Sequence, residues 1–334
     1  MHVFTVDVMV LLGILGLRRS FAFHAPVAFQ LVVNPLVLKS QKAASSCSLS
    51  QRPQSPLSLS SLGVHNSIHR TVMSMSNIGE EKPMEVSKED GIVRILCLHG
   101  KGNNGASFQS ILEPLENDLN IKLALLPEKR KVEFTYLTAP FTMEDEGGTG
   151  TKMQWWTLPP GVRSFEAMEY GGFEESSKLV ENALFEKDYK FVLGHSQGAI
   201  LLSALISCDD WTNRIFSFDR TKTEIAREQP MGYVFNGNAW PNPYTEQVEA
   251  FTCKNVFASS GRTRRAPKAL FVIGKRDNVN PPEGAERVRE AFINGGIEVE
   301  SCYHDGGHAV PVNDAAAADK IVDWIVDLVN SEPK

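Results

Sequence analysis

Ser196, Asp277 and His308 stand in an order along the chain that supports nucleophilic acyl chemistry. An alkyl-type hydroxyl is a weak nucleophile at neutral pH and needs an adjacent base. That base in turn needs an acid to hold its tautomer and stabilise its charged form. Ser196 lies in Gly194-His195-Ser196-Gln197-Gly198, a G-x-S-x-G pentapeptide. An apolar strand pattern runs into it and a helical pattern leaves it, the context the motif requires. Small residues at 194 and 198 permit a sharp turn that lifts the Ser196 hydroxyl above a sheet. The helix N-terminus behind it would supply free N–H groups that favour negative charge.

The candidate base is His308, on the Gly-rich stretch Asp305-Gly306-Gly307-His308-Ala309 between the last strand and the last helix. His304, at the strand end, reads as a packing or surface residue. His304, Asp305 and His308 have the spacing of a metal site on a helix face, but Gly306-Gly307 argue against a helix there, so no metal site is expected. The candidate acid is Asp277, in the turn after the strand pattern at 269–273. Asp305 and Asp314 are too close to His308 in sequence to reach its ring from a separate strand end. The order nucleophile, acid, base matches one known arrangement of such triads.

An oxyanion formed by attack on a carbonyl needs preorganised N–H donors. The backbone N–H of Gln197 is one candidate. The other is that of Lys101, in the loop His99-Gly100-Lys101-Gly102-Asn103-Asn104-Gly105. His99 at the strand end reads as structural, bonding the loop backbone. Trp155 and Trp156 lie in an irregular excursion expected over residues 139–171 and are candidates for lining or gating an acyl pocket, the alternative being that one or both anchor the excursion to the body of the protein.

These residues must be held by a scaffold. Short apolar runs at 92–98, 132–137, 189–193, 232–235, 269–273 and 297–303 predict strands. Helical spacing predicts helices over 107–119, 173–184, 199–206, 282–292 and 315–329. Strand and helix alternate throughout, which implies βαβ units and a mostly parallel, doubly wound sheet with helices on both faces. Ligands of such sheets sit at the carboxyl ends of the strands.

Taken together, the loop His99–Gly105, the segment Gln154-Trp155-Trp156, the helix start Gly172-Phe173-Glu174-Glu175-Ser176, the elbow Gly194–Gly198, Gly274–Asp277 and Gly306–Pro311 resemble the FSH family of serine hydrolases within the α/β-hydrolase superfamily. The resemblance covers about residues 92–330. It implies an α/β-hydrolase fold and hydrolysis of carboxylic esters or thioesters of acyl chains through an acyl-enzyme at Ser196, with no cofactor. The alternatives are a silent binding protein on the same fold, or a peptidase or lipase. The chain departs from the family pattern at Lys101, where that pattern has an apolar residue, and at Asn278–Pro281, where it has a Val-Pro pair. Residues 240–266 also form a longer excursion.

The N-terminal part is built differently. Residues 1–79 carry Arg18, Arg19, Lys39, Lys42, Arg52 and Arg70 but only Asp7 as an acid, and are rich in serine. The apolar run Val8–Leu17 has the length of a signal-peptide core. Ser20-Phe21-Ala22-Phe23-His24-Ala25-Pro26 resembles the junction of diatom-type plastid presequences, which makes Phe23 the first transit-peptide residue. The expected division is a signal-like segment 1–22, a transit-like segment 23–80 that does not fold, and a catalytic domain at 81–334. Cytoplasmic and mitochondrial locations are the alternatives.

The chain of 334 residues has 42% hydrophobic and 22% charged residues and a net charge of −6. This is globular composition, and the acidic balance gives no reason to expect a nucleic-acid partner. No apolar run reaches the roughly 18 residues of a membrane span. Five cysteines without a C-x-x-C pair argue against a disulfide framework or zinc site. Arg262, Arg264 and Arg265 form a basic cluster in an acidic domain, suited to a phosphopantetheine phosphate or an acyl-carrier partner or, more simply, to a solvated loop.

Overall fold

A computed structural model describes residues 91–143, 151–216, 229–252 and 266–332. The expected presequence at 1–80 and the cluster Arg262, Arg264 and Arg265 lie outside the described residues. Six strands form one sheet: β1 (Ile92–Leu98), β2 (Lys131–Leu137), β5 (Phe191–His195), β6 (Gly232–Asn236), β7 (Lys268–Gly274) and β8 (Glu298–His304). Their order is β2-β1-β5-β6-β7-β8 and every pairing is parallel. Such strands are covered on both sides, so they read as near-continuous apolar runs.

The two faces are still separable by alternation. Val93, Ile95, Cys97, Phe191 and Leu193 point to one core, shared with helices α1 (Gly105–Ala124) and α7 (Ala315–Asn330). Leu96, Leu98, Val192, Phe235 and Phe271 point to the other. That second core is closed by α2 (Phe173–Glu186), α3 (Gln197–Ile206), α4 (Asp209–Phe216), the short α5 (Thr245–Glu249) and α6 (Pro282–Asn294). The chain runs from β1 outward to β2, then returns past β1 to continue through β5. The strand order therefore reverses between β1 and β5, and the crevice above that point is where such sheets bind ligands.

Several elements differ from the sequence reading. Helix α1 starts two residues earlier than expected because Asn104 caps it: its side chain accepts from the Ser107 N–H at 2.9 Å, and Ser107 Oγ accepts from the Asn104 N–H at 2.9 Å. The excursion after β2 is not wholly irregular. Its stem is a two-stranded hairpin, β3 (Phe141–Thr142) with β4 (Met153–Gln154), and Thr157 and Gly171 form a further antiparallel bridge. Helix α4 has no counterpart in the expected elements. It buries only Trp211, Thr212, Ile215 and Phe216, too short a pattern to stand out.

A close backbone approach joins α3 to β1. A Cβ on Gly198 would lie 2.3 Å from Leu98 O. Neither α3 nor a central strand can yield easily, so Gly198→Ala should cost about 3 kcal/mol of stability. Urea denaturation of the two proteins measures this, and a loss below about 1 kcal/mol would show that the contact is not tight.

Candidate active site

Ser196 occupies the turn between β5 and α3 with φ 52° and ψ −119°, a left-handed conformation for a non-glycine residue. Its N–H donates to Asn236 O at 2.9 Å and its carbonyl accepts from Ile200 N–H at 3.0 Å, so the backbone is pinned on both sides. The flanking glycines are required by space. A Cβ on Gly194 would meet Gly198 O and Ala199 Cα at 2.7 Å.

The three residues singled out from the sequence come together. His308 Nε2 lies 2.8 Å from Ser196 Oγ, and His308 Nδ1 lies 2.7 Å from Asp277 Oδ2. This geometry requires Nδ1–H to donate to the carboxylate and Nε2 to accept the serine proton. Asp277 Oδ1 accepts from the N–H groups of Val279 and Asn280 at 2.8 and 2.9 Å. Burial acts to raise the Asp277 carboxyl, but the His308 hydrogen bond and those two N–H groups outweigh it and hold the acid below the ordinary carboxylate range. Ser196 and Asp277 are 8% and 5% exposed, while the His308 side chain keeps 19%. The base is thus the most accessible member, as a group that must exchange protons with a leaving group and water should be.

The rival acids and bases are engaged elsewhere. His304 is buried and its Nδ1 accepts from Gly306 N–H at 3.2 Å. Asp305 pairs with Lys275 at the surface, and Asp314 caps α7 through Ala317 N–H. His99 is structural, as expected: Nδ1 donates to Gly100 O at 2.7 Å and Nε2 accepts from Ala139 N–H at 3.0 Å. The backbone N–H groups of Lys101 and Gln197 have no acceptor among the described residues, and each sits at one side of the β1–β5 crevice. Among the described residues there is no cluster of side chains able to hold a metal ion.

Trp155 and Trp156 fit the anchoring alternative rather than the pocket-lining one. Both are fully buried at 0% exposure, so neither presents a face to a ligand. Trp156 stacks on Tyr170 with ring centroids 4.2 Å apart, and Trp155 lies inside the same core. A large apolar ring on an excursion beside the site reads the same in sequence whether it faces a substrate or the body of the protein.

Several contributors were not visible in the sequence. Asn236, at the end of β6, receives the Ser196 N–H and donates from Nδ2 to His195 Nδ1 at 2.8 Å. His195 lies 5.1 Å, ring to ring, from His308. Burial first, and the neighbouring His308 second, push its pKa down to about 3, so it stays neutral beside the base. Gly237, with φ 55°, packs under the His308 ring, where a Cβ would come 3.1 Å from Nδ1. Asn280 fixes that turn by donating to Gly237 O at 2.7 Å. The only sequence signal for these was a polar residue ending an otherwise apolar strand.

If Ser196 is the nucleophile, its strain is spent on function. Ser196→Ala and His308→Ala should each abolish labelling by a fluorophosphonate probe, and the double variant should lose no further activity. Ser196→Gly should be equally inactive yet more stable than Ser196→Ala by about 1 kcal/mol, because only glycine adopts this φ freely. Probe labelling and denaturant titration test both, and residual labelling of Ser196→Ala would end the assignment.

Residues 89–319 match the family described as serine hydrolase (FSH1). Esterase AGAP003155 of Anopheles gambiae is 26% identical over 262 residues, 76% of this chain and 80% of the relative. Esterase OVCA2 of Danio rerio is 28% identical over 243 residues, 66% of this chain and 90% of the relative. Among solved structures, Zea mays acyl-protein thioesterase 2 is 20% identical, with a TM-score of 0.47 over 72% of this chain and 95% of that one. The parallel sheet with a serine elbow after β5, together with the family match, is an α/β-hydrolase fold.

Proposed function

The chain belongs to the FSH1 family of serine hydrolases, and on that premise we propose that it cleaves carboxylic esters or thioesters of acyl chains through an acyl-enzyme at Ser196. The observation that carries this reading is the aligned relay Ser196–His308–Asp277, with contacts of 2.8 and 2.7 Å at the reversal point of the sheet. Ser196 Oγ attacks the carbonyl carbon as its proton passes to His308 Nε2. Asp277 stabilises the imidazolium so formed. The carbonyl oxygen becomes an oxyanion facing the N–H groups of Lys101 and Gln197. Collapse breaks the bond to the leaving oxygen or sulfur, which takes the proton from His308. Water then repeats the sequence on the acyl-enzyme, with His308 as base, releasing the acid and restoring Ser196. A silent binding role would give no reason to hold a strained serine in line with a base. No cofactor or metal enters this sequence.

The acyl chain needs an apolar surface, and the two buried indoles do not supply it. A better candidate is the rim made by the excursion Thr157–Gly171 and the Asp277 turn. Arg163 Nη1 donates to Asn278 O at 3.3 Å, and Asn242 Nδ2 donates to Ala167 O at 3.2 Å, so the excursion is tied to the loops after β7 and β6. On this rim Met168 and Val279 are 80% and 52% exposed. Val279 lies two residues from Asp277, and Met168 follows Ala167, which Asn242 holds; exposed apolar side chains on such loops would favour an apolar ligand group.

Each methylene buried on this rim adds up to about 0.8 kcal/mol. We therefore expect kcat/KM to rise with acyl length over short chains and then to level or fall. Met168→Ser with Val279→Ser should flatten that rise while sparing acetyl esters. A panel of esters, acyl-CoA thioesters and carrier-bound thioesters measures this. A preference for acetyl esters with no gain for longer chains would reject the acyl reading. A carrier-bound advantage lost on replacing Arg262, Arg264 and Arg265 by serine would place the carrier at that cluster.

We further propose that residues 1–80 direct the protein to a plastid and leave the catalytic domain 81–334, on the basis of the Ser-rich stretch 8–79, which has no acidic residue, and the junction around Phe23. A fusion of residues 1–80 to a fluorescent protein should enter the plastid, and Phe23→Ala should impair entry. Fluorescence that stays in the cytosol with the intact segment would exclude this.

A further inference from the structure

The two oxyanion donors lie at the ends of different strands. Lys101 follows β1 and Gln197 follows β5, and the last pairing between these strands is Leu98 with Gly194. Beyond that pair the sheet ladder no longer sets how far apart the two backbones stand. Another segment does.

We propose that Trp155 is a positioning residue for the oxyanion hole, a strut that ties the Lys101 loop to the Gln197 turn and so sets the spacing of the two N–H donors. This inference rests on the acyl-transfer reading above. The Trp155 indole Nε1–H donates to His99 O at 2.7 Å, two residues before Lys101. The Trp155 backbone N–H donates to the Gln197 side-chain Oε1 at 2.9 Å. One residue therefore holds both sides of the crevice. The preceding strand β4 continues the attachment: Gly102 N–H donates to Met153 O at 2.8 Å, and Met153 N–H donates to Asn103 O at 3.0 Å. The remaining backbone group of Trp155 is used as well, since its carbonyl accepts from the Ser176 hydroxyl on α2.

All the side chains in this array are buried. Trp155, His99 and Ser176 are 0% exposed and Gln197 is 2%. Removing any one donor leaves a buried acceptor unpaired, and the loop must shift to find water or another partner. Donor placement decides oxyanion stabilisation, and a shift of about 1 Å at a reacting geometry costs about 100-fold in rate. Trp156 provides the contrast. It is equally buried, but it stacks on Tyr170 and its indole N–H has no hydrogen-bond partner among the described residues. Two adjacent tryptophans of equal burial thus differ in what they hold.

The test uses the full chain with a short acyl ester, a trifluoromethyl ketone analogue and the product carboxylate. Ser196 Oγ adds to the ketone carbonyl, its proton goes to His308, and the carbonyl oxygen becomes a hemiketal oxyanion. Ketone affinity therefore reads the donors, and carboxylate affinity reads ground-state binding. Trp155→Phe should lower kcat and ketone affinity by the same factor, about 10- to 100-fold, with KM and carboxylate affinity within about twofold. Trp156→Phe should change kcat and ketone affinity by less than about threefold. Ser176→Ala, the mildest change, should reduce both quantities together by a smaller factor, and it decides the matter if Trp155→Phe does not fold. Equal effects of the two tryptophan variants, unchanged ketone affinity in Trp155→Phe, or no joint shift in Ser176→Ala would each overturn the strut. Failure of the native protein to turn over esters or bind the ketone would instead overturn the acyl-transfer reading.

Discussion

Between β5 and α3 the chain reverses over one residue, Ser196, held at φ 52°. Nearly every other feature of the active edge follows from that turn. It needs glycine at 194 and 198, because Cβ atoms there would fall 2.7 Å from Gly198 O and 2.3 Å from Leu98 O respectively. It also needs its backbone groups satisfied, which Asn236 O and Ile200 N–H achieve. The return is geometric. The Oγ stands above the sheet edge, the first N–H of α3 faces the same side, and the helix follows directly behind with its favourable field for negative charge. Strain of about 1–3 kcal/mol is typical of such a conformation, and it persists only where the surroundings over-determine it. Here a central parallel sheet with two full cores does so.

The charges around the turn are arranged so that one group can change its protonation while its neighbours do not. Asp277 is buried, yet three hydrogen bonds keep it ionised, so it can hold the His308 Nδ1–H without taking the proton itself. His195, packed between His308 and Phe108, is kept neutral by burial and so adds no positive charge against an imidazolium forming nearby. His99 is likewise pushed down by burial and serves only to brace its own loop. Three histidines thus lie near one serine, and partners and burial leave only His308 both aligned and partly accessible. Histidine count near a nucleophile is therefore a poor guide to the base; the second nitrogen's partner is a better one.

What could be read from the sequence divides along the same physical line. The strands, the α/β class and the residues Ser196, Asp277 and His308 were legible because apolar runs, strand-end glycines and chain order carry them. Strand ends shifted by one or two residues, as with β5, expected from Tyr189 and found at Phe191–His195. Asn236, Gly237 and Asn280 were not legible, since their value lies in contacts between loops after different strands. The tryptophans were legible as important, but whether they line a pocket or anchor the excursion was not. An indole N–H aimed at a buried carbonyl and an indole face offered to a ligand leave the same letter in the chain, and only the packing distinguishes them.

That distinction bears on where specificity can arise. The sheet, the elbow and the relay are shared requirements of acyl transfer and leave little freedom, because each is fixed by close packing or a hydrogen bond. The departures from the family pattern read in the sequence, at Lys101, at Asn278–Pro281 and at 240–266, lie in the connections between strands, and of their described residues Asn280 alone supports the relay directly through its side chain. Lys101 is exposed, and in the proposed mechanism only its backbone takes part, so its side chain can vary without moving the donor. Asn278 and Val279 follow Asp277 directly: Asn278 offers its carbonyl to Arg163, and Val279, whose N–H holds the carboxylate, offers an apolar side chain to solvent. The strut beneath and the rim above therefore divide the work. Residues facing inward keep the donors and base in register for any acyl group, and residues facing outward on the same loops are free to select which acyl group arrives.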